Sequence, residues 1–410
     1  MQSKNLTNYI LGAVVLGIAT GYCVHLFGKE TGLADSFVGY ISILTDIFLR
    51  LIKMIIAPLV FSTLVVGIAR MGDSATIGRV GIKTFGWFIS MSVVSLLLGL
   101  IMVNILQPGV GVNLPLPDAS ASSGLHKEGL NLAEFVGHMF PVSIMDAMAK
   151  NEILQIVVFS VFFGVAAGSF GKRAEPFIND LDMLSHIMLK VTTAVMRFAP
   201  VAVFAAVSAV IADNGVSILT TYGKFLLSFY AAIAVLWLLI ILIGSLVLKR
   251  RVLHLVSMLR QPLLLAFTTA SSEAAYPMTL EQVERFGCKN KIASFVLPVG
   301  YSFNLDGSMM YCTFAAVFIA QVYGIEMSLS QQLLMLLVLM VTSKGIAGVP
   351  RASLVVIAAT LPQFNIPDAG VLLILGIDHF LDMARSATNV LGNGIATAVV
   401  SKWEGELEGG

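Results

Sequence analysis

The sequence predicts an all-α integral membrane protein with eight transmembrane helices and two re-entrant helical hairpins, arranged as inverted repeats. Three observations predict it. Of 410 residues 57% are hydrophobic and only 12% charged, where soluble domains carry about a quarter charged residues. Apolar runs near the length of about 20 residues that a bilayer crossing needs recur along the chain. Two further runs are apolar at both ends and broken in the middle. A net charge of +1 leaves no basic field for nucleic acid. The cysteines Cys23, Cys288 and Cys312 are odd in number and far apart, which argues against a disulfide framework or a zinc site.

The first run, 8–27, is too long for a signal core and no small-residue cleavage pattern follows it, so it reads as a retained span. Runs 40–69, 82–106, 152–170, 184–212 and 224–248 follow, and 292–322 and 371–401 carry polar interruptions. On the second run Asp46, Arg50 and Lys53 share a face and read as a scaffold ion pair with an interfacial lysine. The broken runs are 255–287, interrupted by Thr268 to Pro277, and 330–365, interrupted by Ser343 to Arg351. Small, polar and proline residues free backbone groups that lipid cannot satisfy, so each break is buried in protein or lines water. Each reads as a hairpin followed by a polar helix, and paired breaks of this kind point to a transporter site.

Lys and Arg enrichment marks cytoplasmic loops. Lys4, Arg70, Arg79, Lys83, Lys172, Arg173, the Lys249-Arg250-Arg251 cluster, Lys289 and Lys291 fall on one side, which puts both termini in the cytoplasm and the polar segment 107–131 outside.

In the last span Asp378, Asp382, Arg385, Asn389 and Asn393 follow at steps of four, three, four and four, one face of a helix. A charge at the bilayer centre costs about 2.5 to 3.5 kcal/mol, so these residues face a protein interior or cavity. A structural ion pair accounts for Arg385 with one aspartate. It leaves Ser386, Asn389 and Asn393 unexplained, whereas a substrate carrying both a positive and a negative charge accounts for them: Arg385 can fork onto a carboxylate and an aspartate can hold an ammonium. The preceding span contributes Ser302, Asn304, Asp306, Gly307 and Ser308. That composition suggests an unwound helix whose oxygens suit a small cation, ahead of a plain kink.

Ser271-Ser272, Asn304 to Ser308, Gly345 to Pro350 and Asp378 to Asn389 together resemble the dicarboxylate/amino acid:cation symporters, which include the glutamate transporters, over nearly the whole chain. The resemblance implies an elevator-type homotrimer in a bacterial inner membrane. It divides the chain into scaffold helices 1–106, the third partly mobile; an outer loop and start of helix four, 107–151; scaffold helices 152–223; helix six, 224–254; a transport domain, 255–401; and a cytoplasmic tail, 402–410. It places the substrate ammonium at Asp382, the side-chain carboxylate at Arg385 and the α-carboxylate near Asn389. Ser271, Ser272, Ser308, the Val349 backbone and Ser386, where threonine is usual, complete the pocket.

Dicarboxylate carriers of this kind tend to lack the aspartate at Asp382, and neutral amino-acid carriers the arginine at Arg385, so both residues favour an acidic amino acid. No organic cofactor is implied. The coupling cation is H+ and/or Na+, with Asn304, Asp306, Asn389 and Asn393 as its candidate site. Sodium-coupled relatives have aspartate at the place of Asn393 and a threonine at that of Met91, beside Ser92, so both changes weaken a hard-oxygen sodium site. The proton-carrying glutamate of animal relatives is absent too, with Cys312 in its place, but some bacterial relatives couple to protons, so protons lead slightly. Asp378 balances charge. Glu273 and Arg351 at the two tips either pair to bias a gate or face water, the second being the default, and Lys344 has no assigned role. The alternatives are a C4-dicarboxylate symporter and, from another class, an ion channel. An intramembrane hydrolase using Ser271 or Ser272 with Asp382 is poor, because no His or Lys is placed as its base.

Overall fold

The structure is a computed structural model that describes residues 2–28, 32–70, 74–111, 137, 140–214, 222–342 and 352–408. Among these, helices account for almost every element and no strand forms beyond an isolated bridge between Cys288 and Leu407.

The first half comprises α1 (Gln2–Gly28), α2 (Leu33–Ala69), α3 (Ser74–Leu106), a short α4 (Ile144–Lys150), α5 (Ile153–Ser169), α6 (Glu175–Val195), α7 (Ala199–Asn214) and α8 (Gly223–Leu248). The expected span 184–212 is two helices, α6 and α7, joined by a 3-10 turn over Met196–Phe198 just before Pro200. Helices α2, α3 and α6 begin several residues before the apolar runs, because a helix keeps its internal hydrogen bonds where polar residues carry it out of the lipid. At 37 residues α2 is about 55 Å long, well beyond the apolar thickness of a bilayer. No ion pair joins Asp46 to Arg50 among the described residues, and both are exposed, so the scaffold pair expected there does not form.

The second half carries the site. Helices α9 (Arg251–Thr269) and α10 (Tyr276–Phe286) form the first hairpin: α9 ends at Ala270 with φ 49°, a 3-10 turn spans Glu273–Ala275, and the arms pack together. Next come α11 (Asn290–Phe303) and α12 (Asp306–Val322), the two halves of one broken span. Helices α13 (Leu329–Thr342) and α14 (Ala352–Thr360) are the arms of the second expected hairpin; its tip, with Lys344, Val349 and Arg351, lies outside the described residues, as does most of the polar segment 107–131. The short α15 (Leu372–Leu375) precedes α16 (Asp378–Trp403), so the last helix starts seven residues later than its apolar run.

Seven stretches of the described residues are long and apolar enough to cross a membrane. Hydropathy alone admits the hairpin arm Arg251–Thr269 to that set and misses the charged α16, which the sequence reading counts as a span. Helix α16 packs against α3, α8, α9, α11 and α12, while α1, α5, α6 and α7 gather around α2. The polar stripe thus sits at the centre of the group around α16.

At one end of the molecule the tail closes a clasp. Glu404 meets Arg79 at 3.0 Å and Lys83 at 2.6 Å, and Glu406 lies 2.8 Å from Lys289 and also pairs with Lys291. Lys289 N donates to Glu406 O and Glu408 N to Gly287 O. Basic residues read as lying on one side of the membrane therefore do meet at one end.

Candidate functional site

Pro298 lies inside α11, and Asn304 and Leu305 leave helical geometry with φ/ψ of −117°/65° and −99°/61°. The span is therefore unwound where Asn, Asp and Gly cluster. A new helix starts at Asp306, and its first amides lack intrahelical acceptors. Asn389 of α16 supplies one: its Oδ1 accepts from Gly307 N at 2.9 Å and Ser308 N at 3.4 Å, while its Nδ2 donates to Ser308 Oγ at 3.2 Å. Only glycine allows so close an approach, since a Cβ on Gly307 would lie 2.6 Å from Arg385 O and 2.8 Å from Thr388 Cβ. Helix α8 fixes α16 from the other side, with Trp237 Nε1 donating to Thr388 Oγ1 at 2.8 Å and Tyr230 OH to Phe380 O at 2.7 Å.

Arg385 is only 3% exposed. Its Nη2 lies 2.8 Å and its Nε 3.2 Å from Asp382 Oδ1, and the guanidinium sits 4.4 Å over the Tyr311 ring. Tyr311 OH donates to Asp378 Oδ1 at 3.1 Å. Arg385 Nη1 is buried with no hydrogen-bond acceptor, and Asp378 Oδ1 lies 3.7 Å from it. Two carboxylates and an aromatic face thus hold one cation with a donor to spare. Ser386 Oγ donates to Asp382 Oδ1 at 3.4 Å. The Asp382 side chain, 32% exposed, is the one carboxylate of the trio that reaches solvent. The arrangement can accept a carboxylate at Arg385 and an ammonium at Asp382.

Asn304, Asp306 and Asn393 come together, all fully buried. Asn304 Nδ2 lies 3.3 Å from Asp306 Oδ2 and 3.1 Å from Asn393 Oδ1, and Ser95 Oγ of α3 donates to Asp306 Oδ1 at 3.3 Å. Asn389 is anchored beside this cluster, its oxygen accepting from the α12 amides of Gly307 and Ser308. Ser271 and Ser272 lie half-buried in the first-hairpin turn, where Ser271 Oγ accepts from Ala274 N at 3.2 Å. Glu273 is half-buried in the 3-10 turn that packs on α2.

Sequence reasoning missed Tyr311, Ser95 and Trp237. Each is a polar-tipped or hydroxyl residue in an apolar run, and a buried Tyr OH or Trp N–H usually finds a partner, so Tyr311 and Trp237 carried a faint signal. Ser95 carried none, being indistinguishable from a serine bonded to its own helix.

The profile of the sodium:dicarboxylate symporter family matches residues 6–403. A proton/sodium-glutamate symport protein of Geobacillus stearothermophilus is 42% identical, over 99% of this chain and 96% of its own. A proton/glutamate-aspartate symporter of Escherichia coli (strain K12) is 42% identical over 97% of this chain and 93% of its own. A C4-dicarboxylate transport protein of Janthinobacterium sp. (strain Marseille) is 40% identical over 99% and 91%.

Proposed function

This chain belongs to the sodium:dicarboxylate symporter family, and from that premise we propose that it imports aspartate or glutamate together with a cation, H+ and/or Na+. It is a membrane symporter and not an enzyme. The observation that carries the substrate reading is the Arg385 guanidinium, held between Asp378 and Asp382 with Nη1 unsatisfied. A substrate carboxylate completes that donor set. The partly exposed Asp382 is the natural seat of an ammonium and, because it shares the single Arg385 with Asp378, would repel a plain dianion. Relatives named for glutamate and for C4-dicarboxylates are almost equally similar, so overall identity does not choose between them, and Asp382 favours the amino acid.

In this reading Arg385 binds the side-chain carboxylate, Asn389 and Ser308 approach the α-carboxylate, and Ser271, Ser272, Ser386 and the Val349 backbone close the pocket. Cation coupling has an electrostatic reason. Asp378, Asp382 and Asp306 outnumber Arg385, and an acidic amino acid adds a further negative charge, so a cation must accompany it into a site of low dielectric. The assembly proposed is a homotrimer in a bacterial inner membrane, termini cytoplasmic, with the second half of the chain moving as an elevator against the first.

A competition series tests the substrate. Unlabelled aspartate and glutamate should displace labelled aspartate from the purified protein far better than succinate or serine does. Succinate competing as well as aspartate would overturn the amino-acid reading.

A further inference from the structure

We infer that Glu273, in the turn of the first hairpin, carries the proton that accompanies the substrate, protonated when the site is loaded and ionised when it is empty. The inference rests on the reading of the chain as a cation symporter and gives that reading one cation and one residue to hold it.

The carboxylates differ in what holds their charge. Asp378 accepts from Tyr311 OH at 3.1 Å and lies 3.7 Å from Arg385, while Asp382 lies 2.8 Å from Arg385 and accepts from Ser386 at 3.4 Å. Asp306 faces Asn304 Nδ2 and Ser95 Oγ, both at 3.3 Å. Donors of this kind favour the charged form of a carboxylate. Glu273 is half-buried and has none: among the described residues no hydrogen bond or ion pair reaches its carboxylate.

The turn that carries it packs against α9, α10 and α2, and few charges surround it. Among the described residues Lys53 of α2 and Glu152 ahead of α5 are the charges that act on Glu273, and Tyr301 of α11 feels its charge in turn. To this end α9 brings Thr268 and Thr269, and α10 brings Tyr276, whose ring centre lies 5.5 Å from that of Tyr301. From Met54 to Ala69, beyond Lys53, α2 has no ionisable residue.

The residues just before Glu273 are Ser271 and Ser272, which close the pocket in the proposed reading, and Ser271 Oγ pins the turn by accepting from Ala274 N at 3.2 Å. An acidic amino acid brings a net negative charge to that turn. Like charges in a low dielectric repel, so the substrate favours a protonated Glu273, and by reciprocity a protonated Glu273 favours the substrate. The proton comes from water on the outer side, forms an O–H bond with a Glu273 oxygen and returns to water on the cytoplasmic side; no other bond changes. Loaded and empty sites then carry the same total charge.

The test uses the full-length protein reconstituted in vesicles that hold a pH-sensitive dye, with equal sodium on both sides. In the wild type an inward proton gradient should concentrate labelled aspartate, protons should enter with it, and aspartate affinity should change by up to about tenfold per pH unit. Glu273→Gln should lose gradient-driven accumulation, keep the exchange of internal for external aspartate, and bind with an affinity that ignores pH. Glu273→Asp should restore the pH dependence. Glu273→Ala is read in the same way if the glutamine variant does not fold. A neutral variant that keeps proton-driven accumulation and the wild-type pH profile, as a merely solvated or structural Glu273 requires, would overturn the inference. Wild-type uptake that follows a sodium gradient without proton entry would also overturn it while leaving the symport reading standing. Absence of aspartate uptake under any cation gradient would instead overturn the symport reading.

Discussion

Arg385→Cys removes the one buried cation of the site. The guanidinium makes two contacts with Asp382, at 2.8 and 3.2 Å, lies over Tyr311 and leaves Nη1 to meet a ligand. In the variant a substrate side-chain carboxylate meets no donor at that point and faces two aspartates, Asp378 and Asp382, without a counter-charge. Truncating one member of a buried, hydrogen-bonded charge pair costs about 2 to 5 kcal/mol, which at about 1.4 kcal/mol per decade is at least a 30-fold loss of affinity. Serine has an ammonium and an α-carboxylate but no second carboxylate, so its weak binding should change far less. The assay is a calorimetric or fluorescence titration of the purified variant with aspartate and with serine, alongside a melting curve. Aspartate affinity within about threefold of wild type, in a protein that still melts cooperatively, would refute the assignment of Arg385.

Asp382→Ser should abolish aspartate uptake and leave competition by succinate intact or improved; unchanged aspartate affinity would reject the ammonium role. Tyr311→Phe keeps the ring under Arg385 but deletes the hydroxyl that donates to Asp378, a loss of about 1 kcal/mol read as a roughly fivefold weaker aspartate affinity. Gly307→Ala drives a Cβ into the Arg385 backbone and the Thr388 side chain and should separate α12 from α16, costing about 1 to 3 kcal/mol in stability and measurable as a lowered melting temperature. In the tail clasp, burial acts to raise the Glu404 carboxyl, but hydrogen bonds and charge from Arg79 and Lys83 outweigh it and hold the group below its usual range. A lowered folded value means that the contribution to stability is complete above the ordinary glutamate value of about 4.3 and is lost as pH falls through the lowered one. Glu404→Gln should therefore melt earlier than wild type at neutral pH, with the difference closing in acid.

The site's chemistry was legible where polar residues recur at helical spacing in an apolar background, as from Asp382 to Asn393. The break at Asn304 and Leu305 was legible from residue type, since Asn, Asp and Gly favour non-helical backbone. Partners drawn from distant helices were not. Nothing local links Ser95 to Asp306, Tyr311 to Arg385, or Glu404 to Arg79, because each contact depends on which helix lies beside which. Helix ends also escaped: hydropathy marks where lipid begins, whereas α2 and α6 continue as polar helix beyond it. In the last span the error ran the other way, because a 3-10 turn over Asp368–Val371, the short α15 and a turn at Gly376 and Ile377 precede α16, which begins at Asp378.

Labelled aspartate uptake into vesicles reconstituted with the full-length protein tests the central claim most directly. With equal aspartate on both sides at the start, an imposed inward cation gradient should concentrate the label inside, and collapsing that gradient should return it to equality. Equilibration that ignores every cation gradient would contradict the account.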